Sequence, residues 1–385
     1  MSRPFCPQVR KLGGKWVVEW TSGREIQYQY ENWYCSAPLI KDPLMDKRPQ
    51  RLCPDCETSS DSPILDAFGD RVSRRGFLRT MGVSAATVGA AQLLPGTSTA
   101  LAAPSATSKA ETAVKALYDT FSDQQAAMVC LPFDHELRHH IDANWKISKI
   151  AIGSDFYSNE QQDLVNQIVK GITSEDGYDR LTRQMKADGN GIGRYSMVIF
   201  GEPGTKQFQW ELTGRHLTLR ADGNSAPGAA FGGPIVYGHS PEDPAKNLFY
   251  YQTKQVNEVF KALDAKQAKI ALLEESPSED EVALQGKKGK FPGIAVSDLS
   301  SDQKELVADT LKVLLGIYRE EDVKEVMSIL KEGGGLDSLH MSYYADGDLK
   351  GDKIWDVWRI EGPSFVWHFR GDPHVHAYIN IGLKA

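Results

Sequence analysis

Two histidines separated by one residue, His374 and His376, are the side chains of this sequence best suited to bind a metal ion. They fall in a β-rich segment, and residues i and i+2 of a strand project from the same face about 6.6 Å apart. Two imidazoles at that spacing can converge on one ion, and a third would leave one coordination position open for water or substrate. We predict that this third ligand is His216, at the start of a predicted strand that runs to Ala221.

A possible fourth ligand is either His340 or His368. The register of the C-terminal hairpin decides whether His368 can contribute. A two-residue turn at Gly371-Asp372 would place His368 opposite Val375 and away from the pair, whereas a three-residue loop would place it opposite His376 on the same side. The sequence does not choose between the two registers.

An all-imidazole ligand set suits zinc, copper or iron better than magnesium or calcium. The predicted cofactor is therefore one transition-metal ion. Its chemistry would be either hydrolysis, with Glu211 or Glu361 as candidate general base, or redox chemistry at an open copper or iron position. The substrate would be an unknown small molecule or polymer. A different hypothesis is a non-catalytic binding module, in which the aromatic C-terminal strands form a ligand surface and the histidines are structural.

A second metal-binding pattern lies at His135-Glu136-Leu137-Arg138-His139. On a helix, this H-E-x-x-H spacing puts both imidazoles on one face with the glutamate placed as a general base, as in zinc peptidases. Pro132-Phe133-Asp134 directly before it would place the motif on the first turns of a short helix, where a solvated basic cluster is the simpler interpretation. A zinc peptidase that uses these residues is the third hypothesis.

Four short phrases indicate where helices begin: each has an apolar residue, then Ser or Asp, then acidic or amide residues. They start at Phe121, Tyr157, Leu263 and Leu299. Serine or aspartate accepts hydrogen bonds from the free N–H groups of a first helical turn, so the phrases are capping signatures. Their irregular spacing argues against a solenoid repeat. Helices are expected near residues 108–130, 158–172, 177–187, 254–273, 300–315 and 319–332.

Between and after these helices the apolar residues recur with a period of two, which indicates strands. The expected strands are residues 195–200, 207–214, 216–221, 235–237, 338–344, 354–361, 364–370 and 374–379. Two blocks of strands, each preceded by helices, predict an α+β fold with a mostly antiparallel sheet flanked by several helices. The polar stretch Glu274–Gly293 is expected to be a solvated loop.

A targeting signal is predicted inside the chain rather than at its start. Ser73-Arg74-Arg75-Gly76-Phe77-Leu78 matches the twin-arginine pattern, and a run of small and apolar residues follows from Met81 to Leu94. That run is too short to span a bilayer, and Ala100-Leu101-Ala102 supplies a cleavage site. Residues 73–102 therefore predict export by the twin-arginine machinery to the periplasm or the extracellular space.

The signal divides the chain into three parts. Residues 1–72 are an N-terminal extension of unknown role in which residues 15–20 and 27–30 read as a β-hairpin, and residues 103–385 are a single α+β domain. Cys130 is the one cysteine after the signal, so this domain can form no internal disulfide, as expected of a chain that folds before export.

Composition excludes several classes of protein. With 41% apolar residues, 25% charged residues and a net charge of −7, the chain is an ordinary globular protein without bulk attraction to nucleic acid or anionic lipid. No nucleic-acid partner and no stable membrane span are expected.

Several blocks of the sequence together carry a resemblance to a known family. In order, they are Phe133 with Arg138 and Trp145, residues 195–203, residues 208–212, residues 214–219, residues 337–340, residues 358–363 and His374-Val375-His376. In this order the blocks resemble the "domain of unknown function 3500" family over roughly residues 110–380. The resemblance implies exported, signal-bearing relatives and supplies no established activity.

This chain departs from the family in one block. The family pattern is Gly-His-His-Leu-Ser-Leu-Asn, where this chain has Gly214-Arg215-His216-Leu217-Thr218-Leu219-Arg220. If the first family histidine is a ligand, Arg215 weakens or abolishes metal binding here; if the second is, His216 keeps the site intact. Because His216, His374 and His376 all fall in recognisable family blocks, the resemblance favours their forming one site.

Overall fold

The computed structural model describes residues 8–12, 15–19 and 103–384. The first two segments form an antiparallel hairpin of β1 (Gln8–Leu12) and β2 (Lys15–Glu19). The strand predicted at Lys15 is therefore present and pairs with β1, and residues 27–30 lie outside the described residues. The predicted signal, residues 73–102, lies outside them as well. Residues 103–384 belong to a separate compact unit.

This unit has the predicted α+β fold, with eight α-helices and eleven strands among residues 103–384. The helices are α1 (Lys109–Asp119), α2 (Asp123–Val129), α3 (Asn159–Gly171), α4 (Glu175–Gly189), α5 (Tyr250–Lys261), α6 (Ala265–Ala271), α7 (Ser301–Leu315) and α8 (Glu320–Glu332). The strands are β3 (Cys130–Leu131), β4 (Ser196–Gly201), β5 (Phe208–Gly214), β6 (Leu217–Ala221), β7 (Ile235–His239), β8 (Leu272–Leu273), β9 (Ile294–Ala295), β10 (His340–Tyr344), β11 (Val357–Gly362), β12 (Phe365–Arg370) and β13 (Val375–Ile381).

All eleven strands lie in one sheet whose order reveals an internal duplication. The order is β3-β4-β5-β6-β7-β13-β12-β11-β10-β8, with β9 also paired to β10. The first half (residues 109–239) and the second half (residues 250–381) each contain two helices, a short strand, a loop, two more helices and four antiparallel strands. The short strands β3 and β8 pair in parallel with β4 and β10, and β7 meets β13 antiparallel at the centre.

The four capping phrases occupy equivalent positions of the two halves. Each phrase forms the predicted capping box, with the N-cap side chain bonded to the third helical residue and the reverse bond also made. The glutamines of the boxes also hydrogen-bond to each other in pairs, Gln125 with Gln161 at 2.9 Å and Gln267 with Gln303 at 3.2 Å. The phrases that looked irregularly spaced are therefore two copies of one pair.

The same caps divide two helices that the sequence predicted as continuous. Ser122 separates α1 from α2, and Asp264 separates α5 from α6. Both residues have extended backbone angles, because an N-cap residue lies outside the helix that it begins. The apolar periodicity continues across each break, and for that reason the pattern alone predicts one long helix.

The two faces of the sheet are covered differently. Helices pack on the face that carries Tyr237, Trp367 and Ile379, within the main core. Alternate residues face the other way, where two irregular segments cover them: the first cover loop (residues 132–150) and the second cover loop (residues 274–293). In the second cover loop, Val282 is 3% exposed and packs beside Tyr378. The segment 274–293 is the irregular and largely solvent-exposed loop that the sequence predicts, with Val282 as a buried anchor.

Candidate metal centre

Three buried histidines meet where the two halves join. His216, His374 and His376 each offer a ring nitrogen, and these nitrogens all lie within 4.8 Å of one another. The ring centroids are 4.8 Å apart for His216 and His376, 4.9 Å for His374 and His376, and 5.1 Å for His216 and His374. His216 belongs to the first half, and the other two lie at the start of β13 in the second half.

His216 reaches this position from the tip of a tight hairpin. Gly214 pairs with Leu217, so Arg215 and His216 form a two-residue turn between β5 and β6 rather than the first positions of a strand. His216 has a φ of 58°, a left-handed conformation that favours glycine. Its backbone N–H donates to the carbonyl oxygen of Ala143 at 2.6 Å. A histidine held in a strained conformation and fully buried indicates that its side chain has a role.

Gly238 makes room for the imidazoles. It lies opposite His376 in the pairing of β7 with β13. A Cβ atom on Gly238 would lie 2.4 Å from the carbonyl oxygen of Val375 and 3.1 Å from Cβ of His216. Since the contact with the backbone oxygen of Val375 is too short and the one with His216 is tight, the close approach of His216 to β13 favours a glycine here.

A buried carboxylate stands behind His216. Oδ2 of Asp188, at the end of α4, is 2.7 Å from Nδ1 of His216, and both side chains are fully buried. Burial opposes ionisation of Asp188, but hydrogen bonds from His216, Gln184 and Ser240 lower the pKa of Asp188 to about 2. A carboxylate at Nδ1 accepts a hydrogen bond from the N–H of that nitrogen. The proton of the neutral ring then stays on Nδ1, and the lone pair of Nε2 is available to an ion.

A second carboxylate, Glu279 of the second cover loop, stands behind His376. Oε1 of Glu279 is 2.8 Å from Nδ1 of His376, and Oε2 is 2.7 Å from Nε of Arg370. Nη2 of Arg370 is also 2.8 Å from Nδ1 of His376. A guanidinium can only donate and an ionised carboxylate can only accept, so these two contacts favour opposite tautomers of His376.

The two tautomers differ in whether Nε2 of His376 can bind a cation. With Arg370 donating to Nδ1, Nε2 of His376 carries the proton and donates to Nε2 of His374, 3.1 Å away. With Glu279 accepting from Nδ1, Nε2 of His376 has a lone pair that faces His374, which suits a cation between them. In a tetrahedral zinc site, two nitrogens that each lie about 2.05 Å from the ion are about 3.3 Å apart. The observed separation fits that geometry.

Burial favours the neutral form of two of the imidazoles, His216 and His376, which is the form that binds metal ions. Burial is the main cause that holds the pKa of His376 well below its usual value, and the positive charge of Arg370 adds to the effect. Burial also lowers the pKa of His216, although Asp188 opposes that shift. Neutral imidazoles offer lone pairs, so the residues present fit a transition-metal ion.

One of the comparisons with known proteins finds a related family. A family model described as "protein of unknown function (DUF3500)" matches residues 103–379. The chain belongs to this family. No curated protein and no solved structure matches the chain.

The two other histidines considered as ligands in this DUF3500 chain lie elsewhere on the same face of the sheet. Arg370 pairs with His376 and residues 371–374 connect β12 to β13, so neither predicted register is correct. His368 consequently lies opposite Tyr378, two residues along β13 from His376, and does not join the cluster. His340 lies in β10 and pairs with Glu361 of β11, the second strand beyond β13. It does not join the cluster either.

The candidate general bases are also placed away from the three histidines. Glu211 lies opposite Arg220, four residues along β6 from His216, or about 13 Å at the rise of a strand. It accepts from Gln209 at 3.1 Å and lies 3.4 Å from Arg220. Glu361 is held by Arg359 at 3.1 Å and by Gln285 at 3.0 Å. Both glutamates therefore form buried polar pairs on the face under the cover loops.

The H-E-x-x-H motif does not form the helix that a zinc peptidase would need. Residues Glu136–His139 form one turn of 3-10 helix, with His135 as the N-cap whose Nδ1 accepts from the N–H of Leu137. Nε2 of His139 lies 3.2 Å from Arg138 instead of beside His135. The motif contributes to no group of three metal-capable residues among those described.

The aromatic C-terminal residues are core rather than a ligand surface. Trp358, Phe365, Trp367 and Phe369 are fully buried, and Trp358 stacks on Phe369 with centroids 4.7 Å apart. This removes the structural basis for the proposed aromatic ligand surface.

No helix within residues 103–384 is long and apolar enough to cross a membrane.

Sequence reasoning missed Asp188, Glu279 and Arg370. The sequence contains 51 aspartates and glutamates, and no spacing rule links one at a helix end or in a loop to a distant histidine. One general rule was available: a metal-binding imidazole usually has a carboxylate or carbonyl partner. This rule predicts that hydrogen-bond partners of the histidines exist, but it does not identify them.

Proposed function

We propose that this protein binds one transition-metal ion through His216, His374 and His376. The observation that carries the proposal is the pairing of two of these imidazoles with carboxylates, the fully buried Asp188 and the 10% exposed Glu279, at the nitrogen that would point away from the ion. A histidine buried only for packing needs no carboxylate at Nδ1. Two such pairs converging on one point are typical of metal sites.

The three nitrogen donors limit which metals are expected to bind and which chemistry they could supply. Three neutral nitrogens suit zinc, copper or iron, and three protein ligands are the usual number where one position stays open. An ion held in this way supplies Lewis acidity or, for copper and iron, electron transfer. The protein's own residues orient the imidazoles and exclude bulk water, and Asp188 and Glu279 accept hydrogen bonds from the Nδ1–H groups of His216 and His376. His374, which is 6% exposed, offers the only measurable opening among the three ligands.

Metal analysis of the purified full chain tests the proposal. After reconstitution with zinc, copper or iron and removal of loosely bound ions, about one equivalent of one metal is expected to remain. His376→Ala and His216→Ala should each abolish retention. His340→Ala is the matched control, because it removes an imidazole from the same sheet face and should leave retention unchanged. Less than about 0.2 equivalents in the unaltered chain, with all three metals, would refute the proposal.

We also propose that the protein is exported through the twin-arginine machinery. Support comes from the Arg74-Arg75 pair, from the apolar run behind it and from the start of the family match at residue 103, next to the expected cleavage site at residues 100–102. Replacing both arginines with lysine should retain the protein in the cytoplasm with residues 73–102 uncleaved. Continued export of that variant would contradict this proposal without touching the metal site.

A further inference from the structure

Arg215 places a positive charge beside the histidine cluster with no carboxylate to neutralise it. Its Nε lies 3.4 Å from Oγ of Ser240, and that oxygen is 3.5 Å from Nδ1 of His216. No carboxylate among the described residues lies within salt-bridge distance of this guanidinium, whereas Arg370 is paired with Glu279 and Arg220 with Glu211. The Arg215 side chain is half-buried, and so its charge is only partly screened by water.

The charge of Arg215 lies next to one of the proposed ligands. Arg215 directly precedes His216 in the turn between β5 and β6, and Oγ of Ser240 is within 3.5 Å of both Nε of Arg215 and Nδ1 of His216.

The charges around that point do not cancel once an ion is present. Asp188 and Glu279 supply two negative charges, and Arg370 and Arg215 supply two positive ones. A divalent ion would therefore leave a net positive charge in a buried site. Asp372, two residues before His374, adds a third negative charge, and the two arginines, a divalent ion and the three carboxylates then sum to +1. Uncompensated charge of this kind is costly in a low-dielectric interior.

We propose that the metal centre takes an anionic ligand at its open position, a molecule bearing a carboxylate or a phosphate, and that Arg215 draws it there. This inference rests on the proposed metal site and goes beyond it by assigning a ligand class. An anion would lower the uncompensated charge, and Arg215 would favour anions over neutral ligands of the same size. Arg215 acts here through its charge, since the structure places it beside His216 and not in the group of ligands.

Anion binding to the cobalt-substituted full chain tests the inference, because the visible spectrum of a cobalt ion held by three imidazoles responds to its remaining ligand. The probes are acetate, inorganic phosphate and azide, with neutral imidazole as the comparison. Arg215→Gln should weaken each anion about tenfold, the effect expected from removing one charge roughly 10 Å away at an effective dielectric constant of about 20. It should leave imidazole binding unchanged. Arg215→Lys should keep most of the anion affinity.

Lys324→Gln is the control, because it removes one positive charge from the exposed face of α8 and should alter no titration. Equal anion affinity in Arg215→Gln and the unaltered chain would overturn the inference, as would tighter binding of imidazole than of every anion. Failure of cobalt to bind would instead overturn the proposed metal site. Metal content measured on every sample therefore distinguishes the two failures.

Discussion

Asp188 and Glu279 lie in different halves of the unit, yet each contacts Nδ1 of a histidine at 2.7 to 2.8 Å. A buried carboxylate is costly unless it is paired, and each of these is paired with an imidazole whose other nitrogen faces the cluster. The hydrogen bond that offsets the cost of burying each carboxylate also orients one of the imidazoles. Replacing a carboxylate therefore tests the orientation of the imidazole, whereas removing a histidine also leaves a cavity.

Asp188→Asn is expected to weaken metal affinity by about 10- to 100-fold, the usual effect of removing the partner of a ligating histidine. The amide keeps the size of the side chain but accepts the Nδ1 proton less strongly, so Nε2 of His216 becomes a poorer ligand. Competition with a chromophoric chelator measures the change. Asp179→Asn is the matched control, because Asp179 lies on the same helix and is exposed, with a surface ion pair to Arg183. Equal affinities for the two variants would mean that Asp188 has only a structural role.

Glu211 predicts a distinctive pH dependence of stability. Burial raises the pKa of Glu211 to about 7, despite the opposing charge of Arg220. The folded state then binds the proton of Glu211 more tightly than the unfolded state. The free energy of unfolding therefore falls as the pH rises from about 4.5 to about 7, and Glu211 causes no further decrease above about pH 7. The full effect is about 3 kcal/mol, since one pKa unit corresponds to about 1.4 kcal/mol.

Glu211→Gln should therefore match the unaltered chain at about pH 4.5 and become the more stable protein above about pH 7. Urea unfolding across this range gives the difference in free energy. A difference that does not change with pH would show that Arg220 keeps Glu211 ionised throughout. Glu160→Gln, on the exposed first turn of α3, should show no such trend.

At the scale of elements, the turn between β5 and β6 and the start of β13 bring the site together. The sequence predicted the His374 and His376 pair correctly as neighbours on one face, because strand alternation fixes that relation. It assigned His216 to a strand, although His216 lies in the turn before it. The convergence of the three imidazoles on one point therefore does not follow from strand alternation. It depends on a left-handed residue and on Gly238, which no period in the sequence reveals.

Gly238→Ala tests how closely β7, β13 and the hairpin tip must approach. The added Cβ would lie 2.4 Å from the carbonyl oxygen of Val375, a backbone atom that cannot move without disturbing β13. We expect a loss of about 2 to 3 kcal/mol in the free energy of unfolding and weaker metal binding. Gly316→Ala is the control, because its Cβ would meet carbonyl oxygens at 3.3 to 3.4 Å and its φ is −61°. Normal metal affinity in Gly238→Ala would show that the imidazoles tolerate a wider spacing.

At the scale of the whole molecule, the histidine cluster lies beside one of two hairpin tips that are equivalent in the two halves. The tip of the β5–β6 hairpin carries Arg215 and His216, while the equivalent tip between β11 and β12 carries Pro363 and Ser364. Ser364 donates to the carbonyl oxygen of Ile329 and takes no part in a cluster of metal-capable residues among those described. The unit therefore has two similar halves and one asymmetric site.

The fold class and most helices could be predicted from the sequence because they depend on local signals, caps and apolar periods. The duplication could not, because the capping phrases are the most visible part of its repeat and capping chemistry alone accounts for them. The burial of Val282 within the second cover loop was missed for a related reason: the composition of the loop is polar, and only Val282 and a few neighbours anchor it. Contacts between distant segments, such as Glu279 with His376, follow from the assembled halves and from no local pattern.

Because each half supplies ligands, an ion should stabilise the unit as a whole rather than one half. Ligand binding to the folded state adds about 2.7 kcal/mol at a free concentration 100 times the dissociation constant, which corresponds to a rise of roughly 5 °C or more in the unfolding midpoint. Calorimetry with and without the metal should show this shift as one cooperative transition. His216→Ala in the first half and His376→Ala in the second should each abolish the shift, while His340→Ala should retain it. If His216→Ala kept the full shift, the ion would be bound by the second half alone, and the site would not join the two halves.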